Sequence, residues 1–162
     1  MIEKKKNLSD VGHVLQTAVK MRFAIAVSQW NSEVTFALRD GAIATLLENG
    51  AITQNIEIFE VPGSFELSTA AEMLAQTRRF DAVICLGCVI QGETRHFDFI
   101  CNAVANGIAQ VGIKHAMPVI FGVLTTNTMQ QALDRSGGKH GNKGTEAAAT
   151  AINMVALNQS LR

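Results

Sequence analysis

Ala82-Val-Ile-Cys-Leu-Gly-Cys-Val-Ile90 is an uncharged apolar run, and Gln91-Gly-Glu-Thr-Arg-His96 follows it at once. From about Thr94 to Lys114 the apolar residues recur at helical spacing, so the whole reads as buried strand, glycine-bearing turn and long amphipathic helix. Three more runs have the same sequel. Arg22–Ser28 is near-continuous in its apolar character, as a strand covered on both faces must be. Asn31 or Ser32 can cap the helix after it, which runs to about Asn49 and stops at Gly50. Ile56–Val61 is the next strand; Val-Pro-Gly breaks it, and Ser64 is placed to cap a helix through about Gln76. Val119–Leu124 is the fourth, preceded by Pro118 and followed by a short helix from about Met129 to Arg135. A glycine-rich turn, Gly137 to Gly144, then opens an Ala-rich helix from about Thr145 to Leu157.

Apolar strands alternating with helices predict a three-layer α/β/α domain around a four-stranded parallel sheet. The 162 residues form a single domain, with no repeat, linker or low-complexity segment. Residues 1–20 form a less regular N-terminal arm that reads as partly disordered; Gly12 to Val19 is its one candidate for an extra strand.

Composition removes several function classes. The formal net charge is zero, against the broad basic field that a nucleic-acid binder relies on. No apolar run is long enough to span a membrane. Lysines near the N-terminus precede no apolar segment, so no secretory signal is expected. Cys85, Cys88 and Cys101 are odd in number and sit among apolar residues, which suits a reducing cytoplasm. Only 17% of residues are charged, a level that points to surface covered by other subunits.

In a doubly wound sheet, ligands bind beyond the carboxyl ends of the strands. The unusual residues fall there. The first strand leads to Gln29-Trp30-Asn31, with the only Trp; the second to Pro62-Gly63-Ser64-Phe65-Glu66; the third to Gly87 through Asp98; the fourth carries Phe121 and reaches Thr125-Thr126-Asn127. Trp30, Phe65 and Phe121 can form a slot for a flat ring, although Phe65 and Phe121 taken alone read first as ordinary core. The N–H groups of Glu93 and Thr94, at the start of the long helix, suit an anion such as phosphate. His96 is the candidate for proton transfer. Asp98, two residues on, cannot face it on a helix. Glu146 or another carboxylate is left to orient the ring.

Cys85-Leu-Gly-Cys88 does not read as a redox or zinc motif. Redox pairs need a helix N-terminus, no second Cys or His pair has ligand spacing, and plain strand packing suffices. Arg135, in the basic stretch through Lys143, can grip phosphate with two nitrogens; a solvated turn is the competing reading.

Four segments together resemble the lumazine synthase family: Val61-Pro-Gly-Ser-Phe-Glu-Leu67, Gly87 through Asp98, Phe121-Gly-Val-Leu-Thr-Thr126 and Gly141-Asn-Lys-Gly144. The resemblance runs from Phe23 onward. It implies a flavodoxin-like sheet, with the N-terminal segment adding to a neighbouring subunit. The implied reaction condenses 5-amino-6-(D-ribitylamino)uracil with 3,4-dihydroxy-2-butanone 4-phosphate, the penultimate step of riboflavin biosynthesis, with no cofactor and no metal. Trp30 resembles the ring-stacking residue. Ser64, Phe65, Glu66, Cys88, Val89 and Ile90 resemble the ring and ribityl contacts, Glu93 and Thr94 the phosphate-binding backbone, and His96 the proton donor. Phe121 and Arg135 are similar to residues that a neighbouring subunit brings to the same site. The resemblance also implies a homopentamer. The short turn Gly137–Asn142 resembles that of members closing into a sixty-subunit shell, with riboflavin synthase as a possible partner. Two other readings remain: a flavodoxin-like module that binds flavin or lumazine without catalysis, and a shell-forming scaffold with a vestigial site.

Overall fold

A computed structural model describes residues 17–162. The expected N-terminal arm lies outside the described residues up to position 16. Of the candidate strand Gly12 to Val19, Thr17–Val19 are described. They enter a turn instead, with the Ala18 N–H donating to the Asn49 carbonyl and the Met21 N–H to that of Ala18.

The chain then runs β1 (Phe23–Ser28), α1 (Ser32–Glu48), β2 (Ile56–Val61), α2 (Leu67–Gln76), β3 (Ala82–Ile90), α3 (His96–His115), β4 (Val119–Thr126), α4 (Met129–Asp134), β5 (Ser136–Gly138), β6 (Gly141–Asn142) and α5 (Lys143–Ser160). The main sheet has the order β2-β1-β3-β4 and every pairing in it is parallel. Strand order therefore reverses between β1 and β3, where doubly wound sheets take their ligands.

Strand β1 shows why the layers close. Phe23, Ile25 and Val27 point to the layer of α1 and α5. Ala24 and Ala26 point to the layer of α2 and α3, where Leu67 and Ala71 of α2 pack. All five side chains are fully buried. Removing each of the larger ones from water contributes about 1.5–3 kcal/mol.

Three helix starts differ from expectation. The first turn after Pro62-Gly63 is a 3₁₀ turn, Ser64–Glu66, and α2 starts only at Leu67. Helix α3 starts at His96 rather than Thr94. Helix α5 starts two residues early, because the Asn142 side-chain oxygen accepts from the N–H groups of Gly144 and Thr145 at 2.8 and 3.3 Å. The glycine-rich turn before it is a small antiparallel hairpin of β5 and β6.

Candidate active site

Beyond the end of β1 the chain stays beside β2's continuation, with the Gln29 N–H donating to the Val61 carbonyl and the Trp30 N–H to that of Pro62. This delivers Trp30 to the rim of the sheet. Asn31 does not cap α1 with its side chain. Held in the left-handed region at φ 58°, it donates from Nδ2 to the Cys88 carbonyl at 3.2 Å. Ser64 is likewise drawn away from capping: its Oγ accepts from the Cys88 N–H at 3.1 Å. The end of β3 is thus clamped from two sides, its carbonyl by the β1 exit and its N–H by the β2 exit. Gly87 permits this approach, since a Cβ there would lie 2.5 Å from Ser64 Oγ.

A cavity of about 180 Å³ opens above the clamp, lined by Trp30, Asn31, Ser64, Phe65, Cys88, Val89, Ile90, His96 and Ile100. Seven of the residues singled out from the sequence meet in it. Trp30 is 67% exposed and Phe65 54%, so Phe65 is a wall of the cavity and not core. His96 opens α3 at the solvent edge, and its imidazole has no hydrogen-bond partner among the described residues. Asn31 and Ile100 were missed as cavity residues. The sequence offers Asn31, with Ser32, only as a cap, whereas Ile100 lies one helical turn beyond His96 and shares its face, a signal available in the sequence.

The remaining candidates lie elsewhere. Glu66 turns back so that Oε2 accepts from the Gly63 N–H at 3.0 Å. Glu93 and Thr94 sit in the exposed bend ahead of α3, and the Thr94 hydroxyl lies 3.4 Å from the His96 N–H. The N–H groups of residues 92–95 carry no hydrogen bond among the described residues, and they stand just before a helix N-terminus, where partial positive charge collects.

Phe121 is on β4, the edge strand, 37% exposed. It lines a different cavity, of about 420 Å³, together with Lys143, Glu146 and Met154. Arg135 follows α4 and donates to the Glu146 carboxylate at 2.6 Å and to the His140 carbonyl at 2.7 Å. Lys143 Nζ stands 3.5 Å from the same Glu146 oxygen. Glu146 therefore holds Arg135, and within one chain it lies away from His96. Within one chain, Phe121 and the Arg135–Glu146 pair gather at one corner, away from the Trp30 cavity.

The cysteines behave as packing residues. Cys85 joins the core beneath α2 and α3, and Cys88 the core beneath α1 and α5, on opposite faces of the strand. Burial pushes their thiols up to about 12 and about 11. Neither is a thiolate near neutral pH, the form that redox chemistry and metal ligation both use.

Comparison with known proteins bears on this geometry. The profile of the 6,7-dimethyl-8-ribityllumazine synthase family matches residues 20–159. A relative in Cytophaga hutchinsonii carrying that name is 56% identical over 151 residues, covering 93% of this chain and 95% of the relative. One in Porphyromonas gingivalis is 53% identical over 152 residues, covering 93% and 94%. One in Flavobacterium johnsoniae is 49% identical over 160 residues, covering 98% and 84%.

Proposed function

The chain belongs to the 6,7-dimethyl-8-ribityllumazine synthase family, and on that premise we propose that the Trp30–His96 cavity is where its two substrates meet. The enzyme is a transferase that condenses 5-amino-6-(D-ribitylamino)uracil with 3,4-dihydroxy-2-butanone 4-phosphate. The products are 6,7-dimethyl-8-ribityllumazine, phosphate and water. A non-catalytic flavin-binding or scaffold role is not favoured, since such a role asks for neither a proton carrier nor a phosphate grip.

The observation that carries the site assignment is the convergence of Trp30, Ser64, Phe65, Cys88, Val89, Ile90 and His96 on one cavity. Trp30 offers an exposed face for the pyrimidine, and Phe65 with Val89 and Ile90 closes its sides. Glu66 lies beside this wall, with one carboxylate oxygen committed to Gly63 and the other available to ribityl hydroxyls. The unengaged N–H groups around Glu93 and Thr94 receive the phosphate.

The chemistry needs proton carriage and placement. The primary amine of the pyrimidine attacks the ketone, and water leaves as the imine forms. Phosphate is then expelled, and the ribityl-bearing nitrogen closes the second ring with loss of another water. His96, at the lip between ring wall and anion bend, carries protons in these steps. Holding both substrates together supplies much of the remaining acceleration.

Phe121 and Arg135 complete the site from an adjacent subunit of a homo-oligomer, a pentamer closing into a sixty-subunit shell. The compact hairpin between Ser136 and Asn142 supports the shell reading. Riboflavin synthase is the candidate partner. No helix among the described residues is long and apolar enough to cross a membrane. The three cysteines are free, which supports a cytoplasmic setting.

The direct test supplies the purified protein with both substrates and follows the ultraviolet absorbance of the lumazine. An inert protein that still binds flavin tightly would overturn the reading. Light scattering that gives a uniform pentamer would overturn the shell.

A further inference from the structure

We propose that Gly63 is a positioning residue for Trp30: its bare Cα is the bed that sets the angle of the indole over the cavity. The idea rests on the reading of that cavity as the pyrimidine site and deepens it.

A Cβ built on Gly63 would lie 2.5 Å from Cε3 and 2.7 Å from Cζ3 of Trp30. Carbon atoms in contact sit about 3.5–4.0 Å apart, so the six-membered half of the indole rests where a side chain at position 63 would stand. Backbone conformation does not demand glycine here. Gly63 has φ −134° and ψ 179°, extended values open to any residue. Close approach is the remaining reason for a glycine: the ring comes nearest, and Glu66 Oε2 follows at 3.2 Å.

The backbone on both sides of the contact is tied down. The Trp30 N–H donates to the Pro62 carbonyl, Asn31 reaches across to Cys88, and the Gly63 N–H is held by Glu66. A methyl group at position 63 therefore cannot be absorbed by the backbone, and the indole has to turn about its side-chain torsions. Trp30 is 67% exposed, so there is room for it to turn, away from the angle at which its face meets a ring in the cavity. Trp30 and Gly63 act as one unit: the first supplies the stacking surface, the second its orientation.

The experiment is a double-mutant cycle of Gly63→Ala and Trp30→Phe, read by kinetics and by fluorescence of the only Trp in the chain. Phe lacks the Cε3 and Cζ3 atoms that meet position 63. With Trp at position 30, Gly63→Ala is expected to raise KM for the pyrimidine on the order of tenfold, the size of one lost aromatic contact. KM for the phosphorylated ketone should stay within about twofold, and the Trp30 emission and its quenching by acrylamide should shift. In the Trp30→Phe background the same Ala should cost little. An equal cost in both backgrounds, or none in either, would overturn the proposal.

If Gly63→Ala lowers thermal stability only with Trp at position 30, the contact is upheld; if it does so with either residue, the contact is refuted. The fluorescence arm needs no turnover. A wild-type protein that makes no lumazine would refute the proposed function, while the emission of Gly63→Ala would still test the bed.

Discussion

Around Cys88 the backbone is tied down and the side chains are left open; around Glu146 the arrangement is reversed. Asn31 and Ser64 grip the carbonyl and N–H of Cys88, while the rings of Trp30, Phe65 and His96 face the cavity. At the other corner, Glu146 engages the side chains of Arg135 and Lys143, and Arg135 reaches the His140 carbonyl as well. One region is a cavity whose side-chain walls are open. The other is a cation held at a fixed angle, beside the cavity that Phe121, Lys143 and Glu146 line. The difference teaches why the site reads as half of something, and the sharpest tests ask whether the two halves meet between chains.

The largest effect is expected at His96. Replacing His96 by Ala should lower kcat on the order of 10²-fold, the lower end for a positioned proton carrier, without abolishing turnover. An assembly mixing His96→Ala chains with Arg135→Ala chains should regain activity, because an intact cavity then meets an intact Arg135. In random mixing about a quarter of the sites are whole. Activity no higher than that of the separate variants would place both residues in one chain's site and erase the contrast.

Arg135→Ala taken alone comes next. Losing a charged hydrogen bond to phosphate should raise KM for the phosphorylated substrate by about 10–100-fold. Pyrimidine binding, followed by Trp30 fluorescence, should change little. Equal loss for both substrates would take Arg135 out of the phosphate grip and leave it to the bend at Glu93 and Thr94 alone.

These tests also bear on what the sequence could reveal. Strand ends were legible because apolar runs stop at polar, glycine-bearing stretches, so Trp30, Phe65 and His96 were found without knowing strand order. Ser64 and Asn31 offer side-chain caps in the sequence, and neither side chain caps its helix. A short polar side chain can cap its own helix or bond across to a strand, and the choice depended on Cys88, 24 residues from Ser64 and 57 from Asn31. Phe121 could be placed on a strand but not at the sheet's edge, since hydrophobic pattern carries no strand order. The Arg135–Glu146 pair hid for a similar reason: a turn and a hairpin fold its two members together across 11 residues.

Glu146→Gln keeps the shape of the corner and removes its charge. Both partners of the Arg135 pair are largely buried, with side-chain exposures of 18% and 12%. The expected cost in urea unfolding is about 1–2 kcal/mol, below the ~3–5 of a fully buried pair. KM for the phosphorylated substrate should also rise several-fold as Arg135 loses its orientation. A stability loss with that KM unchanged would make the corner purely structural.

Glu72 offers the smallest effect and the cleanest contrast with Glu146. It too takes two basic side chains, Lys114 at 2.6 Å and His115 at 2.8 Å, but at the far end of α3, away from both the Trp30 cavity and the Glu146 corner. The hydrogen bond from Lys114 and then that from His115 hold its carboxyl down from 4.5 to about 2. A carboxylate with a pKa lower in the folded than in the unfolded chain stabilises the fold above the unfolded value, and loses that contribution as pH falls through the folded one. The window here runs from about 4.5 down to about 2. Because Lys114 is well exposed, solvent and salt weaken the pair. Glu72→Gln should therefore leave turnover at neutral pH unchanged. It should lower the thermal midpoint slightly at pH 6, and that difference should fade between pH 4.5 and 2 or on adding salt. A Glu72→Gln protein whose KM for either substrate moved would show that this exposed cluster reaches the active site and would erase its contrast with Glu146.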